Sequence, residues 1–176
     1  MSKVVVANDH GAVELTARIV DFLKGEGYEV NYLGTAENKS VDYPDMAKLA
    51  CDEFKRGGYE FGILCCGTGI GISISANKIK GIRCALPQNC FAAQMAKEHN
   101  DANFLAFGGR IDYSDDVIEW FIGRIAMLNI VAKNEGVSES PVVRAVISAD
   151  YDVFLKPYDQ LQVWQLSTDQ RSVENA

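Results

Sequence analysis

Hydrophobic and polar positions along the chain alternate between two periods. Short apolar runs rich in β-branched residues, typical of buried parallel strands, are separated by segments whose apolar residues recur every three or four positions, as in amphipathic helices. The pattern predicts five strands: Lys3–Ala7, Tyr28–Leu33, Phe61–Cys65, Ile82–Leu86 and Asn103–Phe107. It also predicts five helices: Val13–Lys24, Tyr43–Arg56, a helix from the turn at 67–71 to about Lys78, Asn89–His99, and Asp115 to about Val131.

This alternation of strands and helices predicts a single α/β domain over residues 1–133. Since crossover connections are short and right-handed, we expect one doubly wound, five-stranded parallel sheet of the Rossmann-like kind, with helices on both faces. The expected strand order is of the flavodoxin type, 2-1-3-4-5. Residues 134–176 alternate short apolar and polar pieces, and we expect a C-terminal loop and arm that packs on the core or on a partner subunit.

Composition restricts the class of protein. The 176 residues are 48% hydrophobic, which can fill one core and excludes disordered and fibrous classes. The 24 acidic residues exceed the 17 basic ones and give a net charge of −7, which argues against nucleic acid or an anionic membrane as partner. No stretch approaches the roughly 20 apolar residues of a membrane span. The apolar run Val4-Val5-Val6 is too short for the hydrophobic region of a signal peptide. We therefore expect a cytoplasmic protein. Its five cysteines are an odd number without the spacing of a disulfide framework, so we expect reduced thiols.

Polar side chains follow the ends of the predicted strands, where an α/β sheet binds its ligands. Asp9 and His10 follow the first strand, Cys66 follows the third, and Arg110 follows the fifth. His99 lies just before the fifth strand. A lone histidine is more often a structural hydrogen-bonding residue, but two histidines beside acidic residues in such loops leave both a structural and a catalytic role open.

Cys66 stands at the tip of the third strand. Strand alternation places Cys65 on the same face as Phe61 and Ile63, as a small core residue. Cys66 precedes a glycine-rich turn that opens a helix, and a helix N-terminus favours a thiolate and stabilises a developing oxyanion. From the residues alone, an inert thiol in a tight turn remains equally open. Three further cysteines lie within predicted helices or strands and are expected to be structural: Cys51, Cys84 and Cys90.

Several other interpretations of the glycine turn fail on spacing. It follows the third strand as G-x-G-x-G, whereas a dinucleotide fingerprint requires G-x-G-x-x-G after the first. A P-loop requires Gly-Lys-Ser/Thr, but Ile72-Ser73 follows Gly71, and Ile72 also stands where a phosphatase-type loop carries arginine. The chain has no C-x-x-C motif, and two histidines without a Cys or carboxylate cluster at ligand spacing argue against a zinc site.

The run from Cys66 to Ser73 resembles the signature of the ribose-5-phosphate isomerase B / galactose-6-phosphate isomerase family. Ala76-Asn77-Lys78 and Gly81-Ile82-Arg83 continue this resemblance. Further motifs are similar to those of the family: Asn8–Gly11, Gly34-Thr35, Asp42–Pro44, His99–Asn103 and Phe107–Arg110. The resemblance runs in register from Lys3 to about Val131.

The resemblance implies an aldose–ketose isomerase of a sugar phosphate that needs neither metal nor cofactor and acts through a cis-enediolate. It also implies a homodimer or homotetramer with sites formed between two subunits. By position, Cys66 matches the general base and Thr68 the hydroxyl that assists it, while His99 matches the residue that opens the sugar ring, with Asp9 as its proton-handling partner. The remaining matches are amides of the anion hole at Gly67, Gly69 and Gly71, sugar-hydroxyl contacts at Tyr43 and Asn100, and phosphate contacts at His10 and Arg110.

One departure concerns the phosphate. After the last helix the family usually carries a Gly-Gly-Arg-His segment and a further arginine, whereas residues 135–144 here read EGVSESPVVR. Arg144 alone matches, and Lys133 and Lys156 are the other cations that could replace the missing ligands. A charge-assisted contact is worth about 1.5–3 kcal/mol, so we expect a substrate other than, or broader than, ribose 5-phosphate.

Three alternatives stay open at this stage. The enzyme could isomerise galactose 6-phosphate or a tetrose phosphate. The chain could also be a non-catalytic partner subunit of a heteromeric isomerase, although the presence of Cys66 and Thr68 argues against that role. A generic thiol-redox protein is the least favoured.

Overall fold

The structure is a computed structural model, and it describes residues 2–37, 39–113 and Ile122. The five parallel strands are β1 (Lys3–Asn8), β2 (Glu29–Tyr32), β3 (Phe61–Cys66), β4 (Cys84–Ala85) and β5 (Phe104–Gly108). The helices are α1 (Val13–Gly25), α2 (Tyr43–Lys55), α3 (Ile70–Asn77) and α4 (Cys90–Glu98), and a short 3-10 turn, His10–Ala12, precedes α1.

Local sequence signals explain where the helices begin and end. Asp42 occupies the N-cap of α2 and a proline stands in the first turn, where its missing N–H has no helical partner in any case. The Asn89 side chain accepts a hydrogen bond from Ala92 N–H and so caps α4. None of the helices in the described part of the chain is long and apolar enough to cross a membrane.

Both faces of the sheet are covered by helices, which confirms the predicted α/β fold. Alternate residues of each strand enter two separate cores. The first core joins Val4, Val6 and Ile63 to α1 and α4, and the second joins Val5, Ala7 and Leu64 to α2 and α3. Ile122 is buried in the first core. The rest of the predicted helix from Asp115 to about Val131, the domain limit at residue 133 and the arm 134–176 lie outside the described residues.

The predicted strand order, 2-1-3-4-5, is wrong: the order is β2-β1-β3-β5-β4. All five residues of β5 are buried, so this strand needs neighbours on both sides. The two-residue β4, with Ala85 only partly buried, can end the sheet. The positions of the helices agree with the observed strand order. In a right-handed crossover, the face on which the helix lies depends on whether the next strand is to the left or to the right in the sheet. α4 packs on the face of α1 rather than that of α2 and α3, so the chain reverses direction between β4 and β5.

This order makes β1, β3 and β5 neighbours in the centre of the sheet. From β1 the chain leaves toward β2 on one side, and from β3 it leaves toward β4 on the other. Parallel α/β sheets bind ligands outside the carboxyl ends of two neighbouring strands that the chain leaves in opposite directions, which here are β1 and β3. The turns after these two strands and after β5 therefore lie side by side.

Candidate active site

The turn between β3 and α3 holds Cys66, the last residue of β3. Cys66 is only 3% exposed, and the N–H of Gly69 donates a hydrogen bond to its Sγ at 3.2 Å. Gly69 forms the N-cap of α3 with φ 76°, a left-handed conformation that favours glycine. Thr68 is exposed, and its Oγ1 accepts a hydrogen bond from Ile70 N–H at 3.4 Å. The turn thus places a thiol and a hydroxyl at the positive end of a helix dipole.

The other buried thiols occupy different surroundings. Burial raises the pKa of Cys51 and of Cys65 to about 12, and it also raises the pKa of Cys84. Cys65 enters the core with Phe61 and Ile63, as strand alternation predicts, whereas Cys66 enters the opposite core. A protonated, buried thiol is a poor nucleophile and a poor base, so Cys51 and Cys84 fit the structural role expected for them, and Cys65 fits its expected place in the core.

The turn after β1 lies against the glycine turn. Asp9 is 6% exposed, its N–H donates to Cys65 O at 3.0 Å, and its Oδ1 accepts from Gly11 N–H at 2.8 Å. Gly11 packs so closely that a Cβ there would lie 3.0 Å from both N and Cα of Gly67. The carboxylate of Asp9 is therefore fixed beside the turn that carries Cys66.

His10 faces the loop before α2. Its Nδ1 lies 3.2 Å from the carbonyl oxygen of Val41 and 3.3 Å from the Val41 nitrogen. The backbone of Val41 can thus partner this ring nitrogen whether or not the nitrogen carries a proton. The ring is partly exposed, and its other nitrogen is free of hydrogen bonds to the residues that the structure describes.

Asn8, which sequence reasoning did not select, organises this corner of the site. Its buried side chain donates to Asp9 O at 2.8 Å and to Thr35 O at 3.0 Å, and its Oδ1 accepts from the Tyr32 hydroxyl at 2.8 Å. One amide therefore connects the turn after β1 with the loop after β2. The sequence signal for it was an amide at the end of an otherwise apolar strand.

The turn after β5 and the start of α2 complete the edge. Gly109 N–H donates to Cys66 O at 2.8 Å and Arg110 N–H to Gly67 O at 2.9 Å, which ties the two turns together. The exposed Arg110 side chain runs along Gly67, where a Cβ would lie 3.6 Å from the guanidinium carbon. The Tyr43 ring lies so close to Gly71 that a Cβ there would be 2.8 Å from its Cζ.

Most of the predicted site residues thus meet at one edge of the sheet. They are Asp9, His10, Tyr43, Cys66, Gly67, Thr68, Gly69, Gly71 and Arg110. Arg144 lies outside the described residues. In the described ranges, 2–37 and 39–113 with Ile122, no three His, Cys, Asp or Glu side chains cluster as metal ligands.

His99 and Asn100 lie at the opposite edge of the sheet, where the amino ends of the strands meet. α4 returns from the carboxyl end of β4 to the amino end of β5, and His99 is its C-cap residue. The carbonyl of Asn103, just before β5, accepts from Gly62 N–H near the start of β3. Cys66 lies four residues further on, or about 13 Å along the strand. A single chain therefore does not bring His99 or Asn100 to Cys66.

Comparison with known proteins identifies the family. The family model Ribose/Galactose Isomerase matches residues 4–124. The putative sugar phosphate isomerase YwlF of Bacillus subtilis is 45% identical over 112 residues, which cover 62% of this chain and 74% of that protein. Ribose-5-phosphate isomerase B of Escherichia coli is 41% identical over 111 residues, covering 63% and 74%. The galactose-6-phosphate isomerase subunit LacB of Clostridium acetobutylicum is 42% identical over 103 residues, covering 58% and 60%.

Solved structures agree with these relatives. Ribose-5-phosphate isomerase B of Thermotoga maritima superposes with a TM-score of 0.71 at 34% identity, covering 85% of this chain and 97% of that one. The Clostridium thermocellum enzyme gives 0.65 at 40% identity, covering 76% and 99%. The chain belongs to the ribose/galactose isomerase family. This membership confirms the resemblance drawn from the motifs and the predicted class, a sugar phosphate isomerase.

Proposed function

We propose that the protein interconverts an aldose phosphate and the corresponding ketose phosphate, with the Cys66 thiolate as general base. The observation that carries the proposal is the placement of Cys66 Sγ at the carboxyl end of β3, 3.2 Å from Gly69 N–H at the start of α3. An N–H aimed at the sulfur and the positive end of a helix dipole are surroundings typical of cysteines that take part in catalysis. Thr68, which follows Gly67 in the same turn, supplies the hydroxyl that assists Cys66.

In this mechanism Cys66 removes the proton from C2 of the open-chain aldose. The C–H electrons form the C1–C2 double bond, and the carbonyl electrons move to O1 to give a cis-enediolate. The first turn of α3, which includes Gly71, has N–H groups without helical partners that can stabilise the negative oxygen. The thiol then returns the proton to C1, while a proton passes from O2 to O1. Oxidation and reduction balance within the sugar, so the step requires no cofactor, and we propose that it requires no metal.

The site is proposed to be completed by a second copy of the chain. His99 is proposed to open the sugar ring together with Asp9, and Asn100 is proposed to bind a sugar hydroxyl. Within one chain, however, His99 and Asn100 lie at the opposite end of the strands from Cys66. A second copy, in a homodimer or homotetramer, can bring its His99–Asn100 turn to the carboxyl edge. The geometry of one chain therefore supports sites shared between subunits.

The phosphate is proposed to bind beside the glycine turn. His10 and the Arg110 guanidinium flank Gly11 and Gly67, and Arg144 is the further cation that the family resemblance suggests. Arginine and protonated histidine suit a phosphate dianion, and each charge-assisted contact contributes about 1.5–3 kcal/mol. The loss of two family cations in residues 135–144 favours a sugar phosphate other than ribose 5-phosphate, or several of them.

A galactose 6-phosphate or tetrose phosphate isomerase is the second candidate. The similarity to LacB, a galactose-6-phosphate isomerase subunit, supports a six-carbon substrate. Because LacB is a subunit, the same similarity also suggests a non-catalytic partner subunit of a heteromeric enzyme. The presence of both Cys66 and Thr68 argues against that role.

The experiment is a turnover panel of four-, five- and six-carbon aldose and ketose phosphates in deuterated buffer with EDTA, followed by NMR. Wild-type protein should convert at least one pair and place solvent deuterium at C1 or C2. Cys66→Ala should lower kcat at least about 100-fold. Cys90→Ala, a half-buried thiol on α4, is the matched control and should retain full activity. Full activity of Cys66→Ala would contradict the mechanism, and turnover that EDTA abolishes would contradict the metal-free step.

A further inference from the structure

Two motifs of the sequence, Gly81-Ile82-Arg83 and His99–Asn103, meet in space at the amino edge of the sheet. Arg83, Lys97 and Asp101 form a connected ion cluster there, which we call the Asp101 cluster. We propose that the Asp101 cluster positions His99 and Asn100 for the active site of a second copy. This inference rests on the proposed function and adds three positioning residues to it.

Asp101 is held by two cations through both of its carboxylate oxygens. Lys97 Nζ donates to Oδ1 at 2.8 Å and Arg83 Nη2 donates to Oδ2 at 2.8 Å, while Arg83 Nε also donates to the backbone carbonyl of Asp101 at 2.8 Å. The side chains of Lys97 and Asp101 are only 15% and 21% exposed. The planar guanidinium thus grips the main chain and the side chain of one residue, a geometry that lysine cannot reproduce.

The backbone of Asp101 adopts a conformation that favours glycine. Its φ is 45°, and among the residues that the structure describes no other non-glycine has a positive φ. Its N–H donates to Lys97 O at 3.1 Å, the bond of a left-handed helix C-cap, where glycine is the common residue. A glycine would end α4 with less strain but would lack the carboxylate. The aspartate therefore indicates that the ion contacts, rather than the helix end, require this residue.

Arg83 is itself fixed by Asn103, the residue just before β5. Its N–H donates to Asn103 Oδ1 at 2.8 Å, its carbonyl accepts from Asn103 N–H at 3.0 Å, and the Asn103 amide also donates to Gly81 O at 2.8 Å. The guanidinium therefore projects from the residue just before β4, which is bonded to the residue just before β5. Through it, the turn at residues 99–101 is attached to the sheet rather than to α4 alone.

His99 and Asn100 lie between the last residue of α4 and Asp101. Both are exposed, and neither side chain forms a hydrogen bond within the described part of the chain. The backbone, which α4 fixes on one side and Asp101 fixes on the other, therefore sets the direction in which their Cα–Cβ bonds point. Residues that must meet substrate on another subunit need such a fixed direction, because a displacement of about 1 Å can lower the rate about 100-fold.

The test compares Asp101→Gly and Arg83→Lys with the wild type on the sugar phosphate that the turnover panel identifies. Glycine suits the backbone of position 101, so we expect an unchanged melting temperature and a kcat/KM lower by about 10- to 100-fold. Arg83→Lys keeps the charge, loses the two-point contact, and should also lower kcat/KM. Asp52→Asn, which breaks an exposed ion pair with Lys48 on α2, is the matched control and should behave as wild type.

A double-mutant cycle separates positioning from a structural role. If Asp101 acts through His99 and Asn100, Asp101→Gly should cause no further loss in a His99→Ala, Asn100→Ala background. Wild-type kcat/KM in both Asp101→Gly and Arg83→Lys, or a multiplicative loss in that background, would overturn the positioning role. Failure of the proposed function would differ, since wild-type protein would then isomerise no sugar phosphate or Cys66→Ala would remain active.

Discussion

At the scale of single residues, the environment of each thiol decides its chemistry. Cys65 and Cys66 are adjacent in the sequence, yet their side chains enter opposite cores. Cys66 Sγ accepts an N–H at the start of α3, whereas burial raises the pKa of Cys65 to about 12. The alternation of a β-strand was sufficient to predict this division. It could not predict the Gly69 hydrogen bond, which depends on how the chain folds back after Cys66.

The buried thiols predict a loss of stability in alkaline solution. An unfolded thiol titrates near pH 9, but folded Cys65 stays protonated to about pH 12, principally because of burial. Between these values the unfolded state binds fewer protons, so the free energy of unfolding falls as pH rises, by about 1.4 kcal/mol per pH unit for each such thiol. Below pH 9 this contribution is fully present.

Urea unfolding at pH 7.5, 9 and 10 measures this effect. Cys65→Ala should show a shallower fall than the wild type between pH 9 and 10. Val5→Ala, a truncation at another fully buried strand position, is the control and should keep the wild-type slope. Equal slopes for Cys65→Ala and the wild type would contradict the assignment.

Two contacts between residues that are distant along the chain could not be predicted from the sequence. Asn8 connects Asp9 with Thr35 across 27 positions of the chain, and Arg83 binds Asp101 across 18. Composition and periodicity carry no information on which polar side chains meet over such separations. The family resemblance marked both segments without giving a physical reason for them.

At the scale of elements, the periodicity predicted each described helix and strand, with the largest error at β4. The predicted strand Ile82–Leu86 is reduced to Cys84–Ala85; on its amino side, Arg83 N–H donates to the Asn103 side chain rather than to a neighbouring strand. The strand order was wrong because local periodicity does not say which strands are neighbours. The sequence nevertheless held a cue, since β5 is apolar on both faces and therefore belongs in the interior of the sheet.

The turn between β3 and α3 gives a test at this scale. At Gly69, φ is 76° and a Cβ would lie 2.6 Å from Leu86 Cδ1 and 2.9 Å from the Phe107 carbonyl carbon. At Gly58, φ is 85° but a Cβ would meet open space. Gly58→Ala should therefore cost only the backbone strain, about 1–2 kcal/mol, while Gly69→Ala should cost clearly more because of its clashes.

Activity should separate the two glycine variants further. Gly69→Ala moves the N–H that Cys66 Sγ accepts, so turnover should fall sharply at temperatures where the variant is still folded, whereas Gly58→Ala should keep wild-type turnover. Chemical denaturation and initial rates measure both quantities. Equal stability costs together with full activity of Gly69→Ala would show that the turn does not support Cys66.

At the scale of the whole molecule, the residues proposed for the site are divided between the two edges of one sheet. Asp9, His10, Cys66 and Arg110 occupy the carboxyl edge, while His99 lies at the amino edge. Parallel strands fix this separation, because each helix must carry the chain from one edge back to the other. The sequence suggested shared sites only by resemblance, and the topology of the sheet supplies a physical reason to propose them.

The measurement that tests this account most directly is the activity of a hybrid dimer. Cys66→Ala and His99→Ala chains with different affinity tags are co-expressed, and dimers carrying both tags are purified. If each site combines Cys66 of one copy with His99 of the other, the hybrid has one intact site, and its activity should be about half that of the wild-type dimer. Hybrid activity no higher than the mean of the two single-variant dimers would contradict a site that is shared between subunits.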